Sequence, residues 1–413
     1  MGRKRAGVIR VGFIQEFQGN GWLGGSSYYR NLFSAIKDLP KRKIEPVLIT
    51  SSRSFASLKA QFPDVPVIRL PLLDASPALA MIRRATRVLF GRDPLMERAL
   101  RAENISIVSH SSYFGRRSPV ASIVWIPDFQ ELTFPDFFSS SELASRLGNT
   151  ARSSRHASTV LLSSDAALAD LKRADVNPVN TAVLRFVANV PREQEILPLD
   201  RITATYGLAG KFFHLPNQFW VHKNHSVVLR ALALLRREGR AFQIIATGNS
   251  KDHRQPQHFE SLMATARELA VDDLFKPVGV VPYADLMSLM RHAVAVINPS
   301  KFEGWSTTVE EAKSMGKAII LSDIAVHREQ APERSVFFPA DDFKLLAQKM
   351  SEVCDCWDID VDSRFVSQAA ANLPERRESF ARQYEEIVFN TLDRQLAYAK
   401  SAISARPDAV SQK

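Results

Sequence analysis

The sequence predicts an α/β fold of two domains, each built on a mostly parallel sheet. Short apolar runs rich in β-branched residues, such as residues 105–110 and 242–248, alternate with helical patterns through both halves of the chain, which is typical of βαβ units. At 413 residues, the chain is long enough for two domains with separate cores. A polar, proline-bounded stretch at residues 190–200 marks the division between them.

The order of these patterns sets the predicted boundaries. The first domain covers residues 1–190, a linker covers 191–205 and the second domain covers 206–377. A final helical pattern at 378–396 precedes a Ser-, Ala- and Lys-rich tail at 397–413, which is predicted to be disordered. The predicted strands are residues 8–14, 46–50, 66–70, 105–110, 122–126, 159–163, 181–186, 212–215, 242–248, 274–281, 293–297, 318–321 and 335–339.

Composition and charge narrow the possible classes of protein. Hydrophobic residues make up 45% of the chain and charged residues 24%, which predicts a soluble globular protein. The net charge of +10 and the pI near 9.6 predict polyanionic partners, namely nucleic acid, an anionic membrane face or phosphorylated ligands. No apolar run approaches the roughly 18 residues that span a bilayer. The two cysteines, Cys354 and Cys356, fit a reducing cytoplasm and match neither a zinc nor a CxxC spacing.

Residues 297–323 carry the pattern that points most directly to a functional site. Two buried strands flank a short helix, which Thr307-x-x-Glu310 begins as a capping box and Gly316 ends. The helix N-terminus then faces the carboxyl edge of a parallel sheet, where open α/β folds bind ligands. Its free N–H groups and its dipole favour an anion, so the pattern predicts a phosphate site.

Two carboxylates lie on either side of this predicted phosphate site. Glu303 precedes the helix and Glu311 lies on its first turn. Eight helical residues span roughly 12 Å, comparable to the distance from ribose to hexose in a nucleotide sugar. One acid can therefore accept hydrogen bonds from ribose hydroxyls and the other from sugar hydroxyls. For an isolated glutamate pair, interaction with the helix dipole and solvent is the more common role.

The surrounding residues favour the ligand-binding role. Glu303-x7-Glu311, together with Phe-Glu-Gly-Trp-Ser, Glu-Ala and Met-Gly-Lys-Ala-Ile-Ile-Leu-Ser-Asp, resembles the signature of the retaining group-one glycosyltransferases of family four. This resemblance implies the GT-B fold, with two Rossmann-like domains, an active site in the interdomain cleft and a C-terminal helix that crosses back to the first domain. It also implies that Glu303 contacts the transferred sugar and Glu311 the nucleotide ribose.

The same resemblance implies donor-binding residues in both halves of the chain. Gly24-Gly25 brings backbone N–H groups close to the donor phosphate or the transferred sugar. Lys223 holds the diphosphate, whereas Asn217 replaces the other basic residue of the family's pair. The amides of the helix-entry loop stabilise the leaving diphosphate. These amides belong to Gly304, Trp305, Ser306 and Thr307.

Two acidic residues follow a predicted strand in the first half. Asp128 and Glu131 lie in Pro-Asp-Phe-Gln-Glu, where relatives commonly have Pro-Asp-Phe-Gln-His and the histidine approaches the transferred sugar. Glu131 therefore changes that contact from a donor to an acceptor of hydrogen bonds. Asp128 fits a structural Asx turn equally well.

Two further patterns support other interpretations. Gly19-x-Gly21-x-x-Gly24 formally matches a dinucleotide fingerprint, but it begins too far from the strand and no ribose-binding acid follows the next strand. Asp358-Ile-Asp360 matches the metal-binding Asp-x-Asp of the other glycosyltransferase fold, but it is predicted to be a solvated loop, so no metal is expected. A sugar-nucleotide epimerase of similar fold and a non-enzymatic basic binding protein stay as alternative functions. Nucleic acid is not expected, since no aromatic–basic pattern accompanies the charge.

The predicted activity is retaining transfer of a hexosyl or related sugar from a nucleotide diphosphate sugar, without a metal or other cofactor. The acceptor hydroxyl belongs to a glycan, a lipid-linked molecule or another acceptor, in cell-surface polysaccharide or glycolipid synthesis.

A basic amphipathic helix at residues 77–90 predicts where this activity takes place. One helical face carries Leu79, Ile82, Ala85 and Leu89, and another carries Arg83, Arg84 and Arg87. Such a helix can lie on an anionic membrane, although on the pattern alone an ordinary solvated helix is the more common case. The sequence therefore predicts a cytoplasmic enzyme, peripheral on the inner face of the membrane and attached mainly through its arginines.

Overall fold

The chain divides into two compact units. The first comprises Met1–Leu132, Ser139–Phe186 and Glu378–Lys413, and the second comprises Thr133–Phe138 and Val187–Arg377. The second unit thus takes one short segment from within the sequence of the first. The computed structural model describes residues 7–16, 23–90, 92–115, 117–178, 180–252 and 254–404.

A seven-stranded parallel sheet forms the centre of the first unit. Its strands are β1 Ile9–Ile14, β2 Ile44–Thr50, β3 Val67–Arg69, β4 Ile105–Ser109, β5 Ala121–Ile126, β6 Thr159–Leu162 and β7 Thr181–Val183. The order β3-β2-β1-β4-β5-β6-β7 places β4 in the middle of the sheet, with β1 beside it. Gly12 in β1 allows close packing, since a Cβ atom there would lie 2.8 Å from Ile49 Cδ1.

Helices connect these parallel strands, as βαβ topology requires. They are α1 Leu23–Lys37, α2 Ser52–Gln61, α3 Pro77–Phe90, α4 Pro94–Ala102, α5 Gln130–Thr133, α6 Ser140–His156 and α7 Asp165–Arg173. Helix α1 begins at Leu23, so Gly24 and Gly25 belong to its first turn. The first two glycines of the rival fingerprint lie outside the described residues.

A six-stranded parallel sheet forms the centre of the second unit. Its strands are β8 Phe212–Leu215, β9 Gln243–Thr247, β10 Phe275–Gly279, β11 Val296–Asn298, β12 Ile319–Ser322 and β13 Ser335–Phe338. The strand order is β10-β9-β8-β11-β12-β13, so β8 and β11 are neighbours in the middle. The helices of this half are α8 Leu199–Tyr206, α9 His225–Arg237, α10 His258–Glu268, α11 Tyr283–His292, α12 Thr307–Met315, α13 Ala325–Gln330, α14 Phe343–Asp355 and α15 Ile359–Ser404.

The structure confirms the strand predictions. Each predicted strand coincides with an observed one, and both sheets are parallel. The largest differences are at β7, which ends earlier than predicted, and at β11, which begins later than predicted. Gly316 ends α12 in the left-handed conformation, with φ of 72°, as its sequence position predicts.

The predicted linker at residues 191–205 differs from the structure. Val187–Arg377 belongs to the second unit, and α8 occupies the end of the predicted linker. Ile202 is fully buried there and packs in the same cluster as Phe212 of β8. The stretch is polar on average, but its few apolar side chains are enough to fix it on the second sheet.

A single helix, α15, replaces the predicted separate C-terminal helix. It contains 46 residues with Pro374 inside, and its part from Glu378 onward belongs to the first unit. There Glu385 Oε1 accepts a hydrogen bond of 2.6 Å from the backbone of Lys43. Helix α15 includes residues 397–404 of the tail predicted to be disordered, and residues 405–413 lie outside the described part. No helix in the described ranges combines the length and apolar character needed to cross a membrane.

A buried charge cluster anchors the beginning of α15. Asp362 is fully buried, and its carboxylate lies 2.7 Å from Lys317, 2.6 Å from Arg334 and 3.3 Å from Arg291. Burial lowers the pKa of Lys317 to about 8, although Asp362 acts in the opposite direction. Two residues after Asp358-Ile-Asp360, which was predicted to be a solvated loop, Asp362 therefore forms ion pairs with three cations.

Candidate active site

Lys223 and Glu303 form an ion pair at the carboxyl edge of the second sheet. Lys223 ends a short 3₁₀ helix after β8, and Glu303 follows β11. Lys223 Nζ lies 2.6 Å from Glu303 Oε1, and the two side chains are only 13% and 10% exposed. Burial raises the pKa of Glu303, but the charges of Lys223 and His327 outweigh burial and hold that pKa below its usual value. Glu303 is therefore ionised at neutral pH.

Ser306 caps the N-terminus of α12. Its backbone is extended, and its hydroxyl accepts a hydrogen bond of 3.5 Å from Val309 N. The predicted capping box at Thr307 and Glu310 is therefore wrong, because the helix begins at Thr307 and its cap lies one residue earlier. Glu310 is buried and forms an ion pair of 2.9 Å with Arg376.

Gln330 fixes the backbone of the helix-entry loop. This residue is fully buried at the end of α13. Its Nε2 donates to Ser306 O at 3.0 Å, and its Oε1 accepts from Ser306 N at 3.2 Å. The Gln330 amide thus hydrogen-bonds to both the N–H and the C=O group of Ser306, which belongs to the same loop as Gly304 and Trp305. Sequence analysis missed Gln330, although its position shortly after the carboxyl end of β12 was a usable signal.

Asn217 belongs to a buried network of uncharged side chains. Its Nδ2 donates to Asn298 Oδ1 at 3.1 Å, and Asn298 Nδ2 donates to Ser306 Oγ at 2.9 Å. Gly248 packs directly on the Asn217 backbone, since a Cβ atom at Gly248 would overlap the Asn217 carbonyl oxygen. A neutral residue therefore occupies the position where a basic residue was expected, and it supports the cap of α12.

Arg254 is a cation near the Lys223 loop that sequence analysis did not identify. Burial and the positive charges of Lys223 and Arg254 together lower the pKa of His222 to about 3, against the opposing effect of Glu303. The Arg254 guanidinium lies over the Phe138 ring, 4.5 Å from its centroid. Arg254 follows the carboxyl end of β9, another position where ligand-binding residues of α/β sheets occur.

Glu311 lies on the second turn of α12, not on the first as predicted. It is 5% exposed. Burial raises its pKa to about 8, and a hydrogen bond with Tyr283 offsets only part of that effect. Tyr283 begins α11 and is itself 47% exposed. Glu311 is consequently protonated at neutral pH, whereas Glu303 is ionised.

His327 supports the ion pair from α13. Its Nδ1 hydrogen-bonds to the Ser322 carbonyl oxygen at 2.9 Å, and the side chain is fully buried. Burial lowers the pKa of His327, whereas the charge of Glu303 raises it. Sequence analysis missed this residue too, although it follows the carboxyl end of β12.

The site residues predicted in the first half belong to the first unit. Gly24 and Gly25 begin α1, where the first backbone N–H groups lack partners within the helix. Asp128 Oδ1 accepts a hydrogen bond of 3.2 Å from the backbone two residues later, which is the structural Asx turn considered above. Glu131 is 3% exposed and lies 3.3 Å from Arg146. Their contacts with a donor stay a prediction.

Within the described residues, no group of His, Cys, Asp or Glu side chains is arranged to hold a metal ion. Asp358 caps α15 through hydrogen bonds to two backbone N–H groups, and Asp360 is exposed on the first turn. His222 and His225 are both buried. His225 stacks on Phe219 with ring centroids 4.5 Å apart, and burial lowers its pKa to about 3.

Residues 211–371 match the family model described as glycosyl transferases group 1. The chain carries a group 1 glycosyltransferase domain. The matched region contains Asn217, Lys223, Glu303 and Glu311, so the resemblance inferred from the Glu303-x7-Glu311 pattern is confirmed at the level of the group. Retention and membership of family four stay predictions. No curated protein matches this chain.

Solved structures share the fold of this chain. A glycosyltransferase from Rickettsia africae has a TM-score of 0.62 at 14% identity, over 97% of this chain and 100% of the other. Sucrose-phosphate synthase from Thermosynechococcus elongatus has a TM-score of 0.60 at 16% identity, over 95% of this chain and 100% of the other. Anabaena Alr3699/HepE, solved in complex with UDP and glucose, has the same values. At this identity the similarity shows the fold, and it confirms two Rossmann-like domains with a C-terminal helix.

Proposed function

We propose that this protein is a retaining glycosyltransferase that moves a hexosyl or related sugar from a nucleotide diphosphate sugar to an acceptor hydroxyl. The observation that carries the proposal is the buried ion pair of Lys223 and Glu303, 2.6 Å apart, within the group 1 domain. The pair brings together a cation suited to a diphosphate and a carboxylate suited to sugar hydroxyls. A bound donor replaces this contact, since each member then acquires its own partner.

The charge of the diphosphate is offset without a metal in this proposal. Lys223 provides one positive charge, and Arg254 provides a second in place of the one missing at Asn217. The N-terminus of α12 adds backbone N–H groups and a helix dipole. The Glu311 side chain accepts hydrogen bonds from the ribose hydroxyls. The donor further contacts Gly24, Gly25, Asp128, Glu131, Gly304, Trp305, Ser306 and Thr307.

Transfer with retention requires little chemistry from the protein itself. The acceptor oxygen attacks the anomeric carbon on the face that the diphosphate leaves. The bond from that carbon to the phosphate oxygen breaks, the bond to the acceptor oxygen forms, and the acceptor proton passes to the leaving phosphate oxygen. Glu303 and Lys223 accelerate this step by holding the sugar and the developing charge in place.

The substrate class follows from chemistry and from the similar structures. Anabaena Alr3699/HepE was solved with UDP and glucose and with UDP-glucose, so UDP-hexoses are the first donors to test. The acceptor proposed is a glycan or lipid-linked hydroxyl in cell-surface polysaccharide or glycolipid synthesis. The enzyme would act in the cytoplasm, at the inner face of the membrane.

The test combines donor binding with product analysis. Thermal unfolding is measured with a panel of nucleoside diphosphate sugars, because a ligand that binds the folded state raises the apparent melting temperature. The stabilising donor is then incubated with sugar acceptors, and NMR reports the anomeric configuration of the product. A product with retained configuration, together with loss of product formation in Glu303→Gln, supports the proposal. Inverted product contradicts retention, and epimerised donor formed without an acceptor would favour the epimerase alternative.

A further inference from the structure

Helix α3 presents its apolar face to solvent. Met81 is 68% exposed, Ile82 55% and Leu89 73%. Phe90, at the end of the helix, is 70% exposed, and Leu95 at the start of α4 is 46% exposed. Water-soluble helices normally bury such a face against the core, and a contiguous exposed apolar patch commonly marks an interaction site.

Two of the three arginines of α3, Arg83 and Arg87, are at least half-buried. Arg83 is 12% exposed, and its Nε lies 3.0 Å from Asp93 Oδ2. Its Nη1 also donates to the Leu72 carbonyl oxygen at 3.2 Å. Arg87 is half-buried, so Arg84 is the exposed member of the three arginines. The prediction that all three arginines contact a membrane is therefore wrong for Arg83, whose charge is already neutralised inside the unit.

The hairpin of α3 and α4 is strongly basic at its surface. Residues 77–102 contain six arginines and two acids. Both acids are buried in ion pairs, Asp93 with Arg83 at 3.0 Å and Glu97 with Arg92 at 2.7 Å. The exposed face of α4 carries Leu95 with Arg98 and Arg101. Exposed apolar side chains and unneutralised positive charge thus occur on the same hairpin.

We propose that the hairpin docks on an anionic lipid surface by inserting its apolar residues. Met81, Ile82, Leu89 and Phe90 enter the boundary between headgroups and acyl chains, and exposed arginines contact the headgroup phosphates. A second copy of this chain is a poorer occupant, because self-association would place two surfaces of the same positive charge against each other. The proposal rests on the proposed function only in that a lipid-linked acceptor would explain why the enzyme is at a membrane.

Vesicle co-sedimentation tests the docking surface without any donor or acceptor. Vesicles of phosphatidylcholine with phosphatidylglycerol are compared with vesicles of phosphatidylcholine alone. The apolar-face variant is Ile82→Ser/Leu89→Ser/Phe90→Ser, and its matched control is Ile359→Ser, which removes an apolar side chain that is 52% exposed in the second unit. We expect anionic vesicles to bind the wild type and the control equally, and to bind the apolar-face variant at least about tenfold more weakly.

A second measurement does not depend on loss of binding. Leu89→Trp should show a blue-shifted fluorescence maximum when anionic vesicles are added, whereas Ile359→Trp should not. Equal vesicle binding by wild type and apolar-face variant, or no binding by the wild type, overturns the proposal. It is also overturned if sedimentation velocity shows a wild-type dimer that the apolar-face variant dissociates and vesicles do not bind. Donor-induced thermal shifts, measured without vesicles, report separately on the proposed function.

Discussion

Glu311→Gln tests the opposite ionisation states of the two site glutamates. Burial raises the pKa of Glu311 from 4.5 to about 8, so between these values the folded protein binds a proton that the unfolded chain does not. Stability must therefore fall as the pH rises through this window. One pKa unit corresponds to about 1.4 kcal/mol, so ionising Glu311 costs about 3 kcal/mol of unfolding free energy between about pH 5 and pH 8.

Glutamine does not ionise, so the variant should keep the stability that the wild type loses. Urea unfolding at the two pH values gives the unfolding free energy by linear extrapolation. We expect the advantage of Glu311→Gln over the wild type to grow by about 3 kcal/mol from the lower to the higher pH. At neutral pH the variant should bind nucleoside diphosphates nearly as well as the wild type, because a protonated carboxyl group and an amide each offer one carbonyl oxygen to the ribose hydroxyls, whereas Glu311→Ala should bind them more weakly.

Glu303→Gln is the matched control, because the pKa of Glu303 is lowered, not raised, from 4.5. Its stabilising contribution is present above the unfolded pKa and is lost only as the pH falls through the folded value. Glu303→Gln should therefore be destabilised by nearly the same amount at both pH values. A pH-independent difference between Glu311→Gln and wild type would refute the assignment of a neutral, buried acid at position 311.

Three further predictions concern catalysis, metal and stability. Glu303→Ala should lower kcat by about 10²-fold or more. Its affinity for nucleoside diphosphates should stay the same or rise, because Lys223 is released from its ion pair. An equal loss of that affinity would contradict the sugar-binding role of Glu303. Activity should survive EDTA, because Lys223 and the helix N-terminus supply the counter-charge; loss with rescue by Mn²⁺ would revive the Asp358-Ile-Asp360 site. Asp362→Asn should lower the free energy of unfolding in urea by about 3–5 kcal/mol, since it leaves buried cations unpaired. The control Asp360→Asn should change that free energy little. Equal effects of the two substitutions would contradict the burial argument.

The sequence alone determined the architecture and the principal site residues. Each strand was predictable, because a strand buried on both faces of a parallel sheet must be an uninterrupted apolar run. The positions of Lys223 and Glu303 after such runs were predictable for a related reason, since ligand-binding residues collect at the carboxyl edge of the sheet. Motif spacing then distinguished Glu303 and Glu311 from the other acids.

Only tertiary structure decided how these residues are ionised and what supports them. The pairing of Lys223 with Glu303 joins residues 80 positions apart in sequence, and no local pattern encodes that distance. Gln330 and Asn298 support the α12 cap through contacts that depend on the packing of separate loops. The outward direction of the α3 apolar face was equally inaccessible, because periodicity shows that a helix has two faces but does not show which one the rest of the protein covers.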